Sequence, residues 1–220
     1  MRQEDVVQVS VIEREAFPTQ WPATSFEREL RNKMAHYLVT YEEDDTEESS
    51  ADRGGGAEGE PNQSQAQSGE DKLLSRVLTG VRRLLSSEQT AAQAVGTQKI
   101  VGFVGFWLMA GEAHITAIAT KEEYRRRGIG EMLLMSCVEL ATQLNADAVT
   151  LEVRVSNSGA QALYEKYGFT RTGRRTGYYT DNHEDAFIMT TDRISSASYQ
   201  TTLAILKRNY QKRWGIAGEP

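Results

Sequence analysis

The sequence predicts an α+β fold in which helices come first and a mixed sheet follows. Apolar residues recur at helical spacing near the N-terminus, and from residue 99 onward β-branched and aromatic runs alternate with two helical segments. A chain of 220 residues is long enough for one domain with a substantial buried core. We therefore expect one domain built around one sheet.

Residues 1–41 are predicted to contribute two helices and a strand to this domain. Apolar residues from Val6 to Ala16 fall at helical spacing, and a Pro-containing break from Phe17 to Pro22 follows. A second helix is expected to begin near Thr24–Ser25 and to reach about Asn32. Residues 36–41 then alternate like a strand.

Residues 42–71 form an acidic segment rich in Gly, Ser and Gln. This segment holds eleven of the 31 acidic residues and one of the 25 basic residues, so the rest of the chain has 24 basic and 20 acidic residues. The net charge of -6 is therefore local and says little about partners. Because it has few apolar side chains to bury, the segment is predicted to be a disordered insertion.

Residues 72–98 are predicted to hold an amphipathic helix over 72–88 and a linker. Leucines and valines form one stripe of that helix, and basic residues surround the stripe. Packing over the domain is the favoured interpretation. Contact with a membrane surface or a partner is the alternative.

Residues 99–194 are predicted to complete the domain, and the tail, 195–220, to be a basic amphipathic helix over 199–215. One helix follows a glycine-rich loop and ends near Asn145, and another runs from about Gly159 to Tyr167, with Gly168 as its C-cap. The predicted strands are 99–109, 112–120, 148–155, 169–179 and 185–192.

The residue counts argue against several classes of protein. The one cysteine, Cys137, excludes an internal disulfide and a cysteine metal cage, and the three histidines lack the spacing of a zinc helix. No apolar stretch reaches the ~18 residues that a membrane span needs, and the N-terminus is charged, unlike a signal sequence. We expect a cytoplasmic protein without a metal.

The stretch RRRGIG, residues 125–130, lies between a predicted strand and a predicted helix, and it favours an anion site. A helix N-terminus presents unpaired N–H groups and partial positive charge. Gly128 and Gly130 are expected to allow positive φ and a close approach of the anion, and the arginines add charge suited to phosphate. The residues after the glycines do not match a P-loop, and two glycines are too few for a dinucleotide fingerprint. Without interleaved aromatics, a nucleic-acid patch is a weaker interpretation.

Two groups of motifs together resemble those of a known enzyme family. Arg125-x-x-Gly128-x-Gly130 has the Arg/Gln-x-x-Gly-x-Gly/Ala pattern of the GNAT acetyltransferases. Within that superfamily, the chain resembles the ribosomal-protein-alanine N-acetyltransferases (RimI type). That resemblance is carried by LEVR at 151–154, SN at 156–157 and ALYEKYGF at 162–169, and it covers about 115–189 and, more loosely, 3–41.

The resemblance implies a GNAT fold, which is a mixed, mostly antiparallel sheet with a V-shaped splay between two parallel central strands and helices on both faces. It implies acetyl-CoA as acetyl donor, with the pyrophosphate on the amides from about Arg126 to Glu131 and the thioester in the splay. The pantetheine arm would lie along the strand end 118–120. The residues implied in cofactor binding are Ile118, Ala119, Thr120, Arg125, Arg126, Arg127, Gly128, Ile129, Gly130, Glu131 and Asn157.

The resemblance also assigns the chemistry. Glu152 is implied as the general base that takes the amine proton, through water, and Tyr164 as the general acid that protonates the departing thiolate. Tyr178 and Tyr179 are implied as a wall of the peptide groove. Without the resemblance, Glu152 is interpreted as an exposed strand carboxylate and Tyr164 as a core tyrosine. Tyr178 and Tyr179 are then an aromatic pair on an edge strand. Cys137 is predicted to be buried and inert.

The implied substrate is the α-amino group of a protein N-terminus, with ribosomal protein S18 as the family's namesake substrate. At pH 7, an α-amine with a pKa of ~7.7–8.0 is neutral in roughly a tenth of the molecules. A lysine amine with a pKa of ~10.4 is neutral in fewer than about one molecule in a thousand. Acetylation of a lysine or a small amine, and a non-catalytic acyl-CoA-binding module, are the alternatives. We expect a monomer that does not bind nucleic acid directly.

The sequence departs from the family pattern at two places. Family members usually begin with a strand before the Glu-Asp that starts the first helix, but here Glu4-Asp5 follow Met1 closely. That strand is expected to be absent or to lie upstream. The insertion from 42 to 99 replaces a short hairpin turn, and we expect it to leave the chemistry intact.

Overall fold

The computed structural model describes residues 1–19, 23–42 and 98–214. The predicted insertion over 42–71, apart from its first residue, and the predicted helix over 72–88 lie outside the described residues. The strands are β1 (Ala35–Glu42), β2 (Lys99–Met109), β3 (Glu112–Thr120), β4 (Ala148–Arg154), β5 (Phe169–Tyr179) and β6 (Glu184–Thr191). The helices are α1 (Val6–Ala16), α2 (Phe26–Glu29), α3 (Ile129–Gln143), α4 (Ser158–Lys166) and α5 (Ala197–Arg213).

The predicted elements of the described residues are confirmed within a few residues, with one exception. The second helix was expected to reach about Asn32, but α2 covers only Phe26–Glu29. The side chain of Asn32 accepts a hydrogen bond from the Met34 amide at 3.1 Å, and its carbonyl accepts one from the Ala35 amide at 3.0 Å. An asparagine that bonds the nearby backbone competes with the helix and favours a turn, so the chain turns early into β1.

The six strands form one sheet in the order β1-β2-β3-β4-β6-β5. Strands β3 and β4 are parallel, and every other neighbouring pair is antiparallel. The α+β class and the mixed, mostly antiparallel sheet are therefore confirmed. A parallel pair needs a crossover connection, and here α3 supplies it.

The two parallel strands separate at one end. Their pairing runs from Glu112 opposite Ala148 to Ile115 opposite Leu151, and neither strand pairs with the other beyond those residues. At this point the register between β2 and β3 shifts by one residue at Thr116, which is a β-bulge. A bulge bends and twists its strand, and here it coincides with the predicted splay.

Hydrophobic residues pack on both faces of the sheet. Leu38 of β1 belongs to a large cluster with side chains of α3, α4 and α5, and its neighbour Val39 belongs to a second cluster with Val9 of α1 and Phe26 of α2. Successive residues of a strand point to opposite faces. The predicted helices on both faces are therefore confirmed, with α3, α4 and α5 on the side of the crossover.

The described helices include none that is both long enough and apolar enough to cross a membrane.

Candidate active site

A buried carboxylate and an imidazole meet where the parallel strands separate. Glu152 is the first residue of β4 after the last pair with β3. Its Oε2 lies 2.7 Å from Nε2 of His114, and its Oε1 accepts a hydrogen bond from Nε of Arg175 at 2.9 Å. The Glu152 side chain is 7% exposed. Both carboxylate oxygens are thus held by cationic or potentially cationic partners.

The contact between His114 and Glu152 changes the proton affinity of both groups. The hydrogen bond from His114 is the main cause that lowers the pKa of Glu152, with a smaller contribution from Arg175, and burial opposes it. The same hydrogen bond is the main cause that raises the pKa of His114. Glu152 is therefore ionised near neutral pH. When the neutral imidazole donates its Nε2–H to that carboxylate, Nδ1 keeps the lone pair that can accept a proton.

Sequence reasoning named Glu152 but missed His114 and Arg175. His114 lies one strand away in β3, and Arg175 lies on β5 beyond β6. Neither spacing along the chain is a recognised catalytic signal. His114 could have been identified only by knowing that β3 and β4 are parallel neighbours and how their residues are paired.

Tyr164 lies on the inner side of α4. Its side chain is buried, and its ring centroid is 5.7 Å from that of Phe169. Burial is the main cause that raises the pKa of Tyr164, so its hydroxyl is protonated at neutral pH. Tyr179 interacts electrostatically with both Tyr164 and Glu152. Tyr179 therefore lies within electrostatic range of both predicted catalytic residues.

Tyr178 and Tyr179 form an aromatic pair at the end of β5. Their rings meet edge to face with centroids 5.2 Å apart, and Tyr178 is 44% exposed. The guanidinium of Arg175 lies 5.7 Å from the Tyr178 ring centroid, and that of Arg154 lies 3.8 Å from the Tyr179 ring centroid. Since Arg175 also holds Glu152, the exposed tyrosine borders the carboxylate.

Arg154 fastens the β5–β6 hairpin to the end of β4. Its guanidinium donates to both carboxylate oxygens of Asp181, at 3.0 and 2.9 Å, and to Glu184 at 3.1 Å. The hydroxyl of Thr19, which follows α1, donates to Asp181 at 2.9 Å. Hydrogen bonds from Ser156 are the largest causes that lower the pKa of Glu184 to about 2. The hairpin, the end of β4 and the segment after α1 are thus joined by charged contacts.

The glycine-rich loop before α3 presents a row of backbone N–H groups. Gly128 has φ of 81° and Arg126 has φ of 63°, both in the left-handed region. The amides from Arg126 to Glu131 donate no hydrogen bond to any described residue. Successive free N–H groups in such a loop form an anion-binding concavity.

The two glycines of this loop differ. Positive φ was expected at both, and it is confirmed at Gly128 but wrong at Gly130, which is helical. A Cβ built on Gly130 would meet nothing closer than the Thr120 hydroxyl, at 3.9 Å. Gly130 therefore leaves open space over the first turn of α3.

The loop is held at its start by Tyr124. The Tyr124 hydroxyl donates to Glu42 at 2.6 Å and accepts from Lys99 at 2.8 Å, at the ends of β1 and β2. The Arg127 guanidinium lies 5.2 Å from the Tyr124 ring centroid, while Arg125 and Arg126 are exposed. The three arginines therefore lie around the row of amides.

The other predicted cofactor residues lie at the separated strand ends, except Ile129, which begins α3. Residues 118–120 pair with β2 on one side, and they do not pair with β4 on the other. Asn157 is the N-cap of α4, and its side chain accepts a hydrogen bond from the Ala160 amide at 3.1 Å. Ile129 is buried and anchors the first turn of α3.

Two further expectations concern sulfur and metal. Cys137 is fully buried in α3, and burial raises the pKa of its thiol, as expected for an inert cysteine. Within residues 1–19, 23–42 and 98–214, no three His, Cys, Asp or Glu side chains are grouped so that they could hold a metal ion.

The sequence of this chain is similar to those of known acetyltransferases. A family model described as the acetyltransferase (GNAT) family matches residues 66–169. A protein of Bacillus subtilis (strain 168), named as a putative ribosomal protein bS18-alanine N-acetyltransferase, is 34% identical over 190 residues, which cover 86% of this chain and 90% of that protein. An N-alpha-acetyltransferase of Saccharolobus solfataricus is 46% identical over 79 residues, which cover 36% of this chain and 47% of that protein.

A solved structure shows a similar fold. It is the crystal structure of the ribosomal-protein-S18-alanine N-acetyltransferase from Escherichia coli, with a TM-score of 0.56 and 22% sequence identity. The match covers 88% of this chain and 90% of that chain. The similarity extends over nearly the whole of both chains.

Proposed function

The chain belongs to the GNAT acetyltransferase family and is an N-acetyltransferase, and from this premise we propose that it transfers the acetyl group of acetyl-CoA directly to the α-amino group of a protein N-terminus. The observation that carries the proposal is the hydrogen bond between His114 and Glu152 at the mouth of the splay. In this proposal the pair provides a base, His114, near the point where an amine would enter from the side of Tyr178.

The loop before α3 fits the pyrophosphate of acetyl-CoA. The free amides from Arg126 to Glu131, the open space over Gly130 and the exposed guanidinium groups of Arg125 and Arg126 are all suited to a dianionic group. The unpaired edge of β3 over 118–120 leads from this loop toward Glu152 and can pair with the amides of a pantetheine arm. The Asn157 side chain keeps its NH₂ group for the same arm, since its oxygen caps α4.

The acceptor amine must be neutral to attack the thioester that bound acetyl-CoA supplies. We propose that Nδ1 of His114 takes the amine proton, directly or through a water, and that Glu152 stabilises the resulting imidazolium. This extends the role implied for Glu152 by resemblance. A carboxylate whose pKa is lowered is a weak base by itself, whereas the imidazole that it holds has a raised pKa and is a stronger one.

The departing CoA thiolate needs a proton or a hydrogen bond. We propose that the Tyr164 hydroxyl donates to it as general acid and is reprotonated from solvent. Burial raises the pKa of Tyr164, so the donor is fully protonated when the reaction begins. The reaction needs no covalent enzyme intermediate, since the thioester is already activated, and the buried Cys137 takes no part.

The proposed substrate is a protein N-terminus of the bS18 type. Relatives in Bacillus subtilis and Escherichia coli are named for the alanine of ribosomal protein bS18. An α-amine, with a pKa of ~7.7–8.0, gives up its proton to an imidazole far more readily than a lysine amine at ~10.4 does. The aromatic pair Tyr178 and Tyr179 would then border the first residues of the peptide.

The test is a set of four peptides incubated with the enzyme and acetyl-CoA, with CoA release and product mass followed together. The peptides carry an alanine N-terminus that is free or acetylated, each with and without an internal lysine. We expect acetylation of both free peptides at the α-amine and of neither blocked peptide. Equal rates on the blocked peptide with lysine would overturn the assignment of the α-amine.

A matched pair of variants tests the base. Glu152→Gln removes the charge that holds His114. Glu165→Gln removes an exposed carboxylate next to Tyr164 in sequence, which pairs with Arg171 at 3.2 Å. We expect the first variant to lose most of its turnover and the second to retain it. Equal turnover in the two variants would show that Glu152 has no part in proton transfer.

A further inference from the structure

The C-terminal helix α5 contacts the loop that would bind the pyrophosphate. Tyr210 is buried, and its hydroxyl donates a hydrogen bond to the Gly128 carbonyl at 3.3 Å. The indole of Trp214, directly after α5, lies against the same glycine. A Cβ built on Gly128 would lie 2.6 Å from both Cε2 and Nε1 of the indole. Two aromatic side chains at the end of one helix therefore contact the same residue, Gly128, which has left-handed φ.

The same helix is attached to the neighbouring elements by polar contacts. The Tyr199 hydroxyl donates to the Tyr167 carbonyl at 2.9 Å, and the Tyr167 hydroxyl donates to Glu131 at 2.8 Å. Lys207 pairs with Glu139 of α3. Tyr199 and Lys207 thus attach α5 to the end of α4 and to α3, and Tyr167 links the end of α4 to Glu131 in the first turn of α3.

Trp214 occupies its place despite an unpaired donor. Its indole Nε1 is buried and has no hydrogen-bond partner among the residues that the structure describes. A buried N–H without an acceptor destabilises the folded state, so packing alone does not favour an indole over a phenyl ring here. What the large ring provides is contact with Gly128, together with the ring of Tyr210, whose centroid lies 6.3 Å away.

We propose that Trp214 and Tyr210 are positioning residues for acetyl-CoA: they hold Gly128 in its left-handed conformation, so that the loop amides face outward before the donor binds. The inference rests on the proposed function, because it concerns the same acetyl-CoA site. A row of N–H groups converges on an anion only when the loop keeps its alternating conformation. Holding that conformation in advance lowers the entropy lost on binding.

The rival explanation is that α5 only adds buried surface to the domain. Leu203 provides the matched control, because it is buried in the same helix and belongs to the large cluster but lies about two turns before Tyr210. Leu203→Ala should lower the melting temperature of the protein without acetyl-CoA and leave the dissociation constant of acetyl-CoA unchanged. Trp214→Ala should lower the melting temperature and also weaken binding.

The measurements are the melting temperature without ligand, the dissociation constant of acetyl-CoA by calorimetry, and kcat and KM with a peptide substrate. We expect Tyr210→Phe, which loses one hydrogen bond, to raise the dissociation constant and the KM of acetyl-CoA about fivefold. Trp214→Ala should raise both by at least about tenfold, because the loop loses its cover as well. In both variants kcat at saturating acetyl-CoA should stay near its wild-type value.

Trp214→Phe is the conservative variant that completes the test. It keeps an aromatic ring against Gly128 and removes the unpaired N–H, so it should bind acetyl-CoA nearly as tightly as the wild type and melt no earlier. Equal loss of binding in Leu203→Ala and Trp214→Ala, or wild-type binding in Trp214→Ala, would overturn the positioning role alone. A wild-type protein that does not bind acetyl-CoA would overturn the proposed function as well.

Discussion

Gly130→Ala separates the stability of the loop from its capacity to bind a phosphate. The built Cβ has only the Thr120 hydroxyl within 4 Å, at 3.9 Å, and Gly130 has helical φ. The folded protein therefore has room for the methyl group. Alanine is favoured over glycine in a helix by up to about 1 kcal/mol, which for a domain of this size corresponds to a rise in melting temperature of at most roughly 2–4 °C.

The same methyl group should obstruct the donor. It would occupy the open space through which a pyrophosphate reaches the amides of the first turn of α3. We expect the dissociation constant of acetyl-CoA to rise by at least about tenfold, which is a loss of roughly 1.4 kcal/mol. Calorimetry gives the dissociation constant, and thermal unfolding without ligand gives the stability.

Gly128→Ala is the control with the opposite effect on stability. At that position φ is 81° and the built Cβ lies 2.6 Å from the Trp214 ring, so alanine is both strained and in collision. The left-handed conformation alone costs alanine roughly 1–2 kcal/mol, and the melting temperature should fall. If Gly130→Ala bound acetyl-CoA as tightly as the wild type, the loop would not be the pyrophosphate site. A lower melting temperature for Gly130→Ala would refute the geometric reasoning.

Three further predictions concern the proposed acid and base. Glu152→Gln should lower kcat at least about tenfold while the dissociation constant of acetyl-CoA stays near its wild-type value; calorimetry that shows lost binding would contradict its role. Tyr164→Phe should likewise lower kcat with binding intact, and single-turnover kinetics that show an unchanged acetyl-transfer rate would exclude it as the acid. The third prediction follows from the pKa shifts. The raised pKa of His114 stabilises the folded protein; this stabilisation is complete below pH 6.5 and is lost as the pH rises through the raised pKa. The lowered pKa of Glu152 also stabilises the folded protein; this stabilisation is complete above pH 4.5 and is lost as the pH falls through the lowered pKa. His114→Gln should therefore lower the melting temperature most between pH 4.5 and 6.5, and a deficit that does not vary with pH would show that the ion pair is not its cause.

Local patterns in the sequence were sufficient for most of the elements. The strand 169–179 and the helix that begins after Gly128 were predicted because periodicity and glycine position depend on neighbours along the chain. The short α2 was predicted wrongly, since the turn at Asn32 overrode the helical periodicity. The roles of Glu152, Tyr164, Tyr178 and Tyr179, and of the cofactor residues, stay predictions, as does the monomeric state.

By itself the sequence determined the class of fold, the family and the residues of two local motifs, since both motifs are contiguous in the chain. Only the tertiary structure brought His114 and Arg175 to Glu152, opened β3 from β4 beyond Ile115, and placed Trp214 on Gly128. The physical reason is that element type follows from spacing within one segment. Contacts between segments follow from how the sheet pairs and how the helices pack on it, and no spacing along the chain records them.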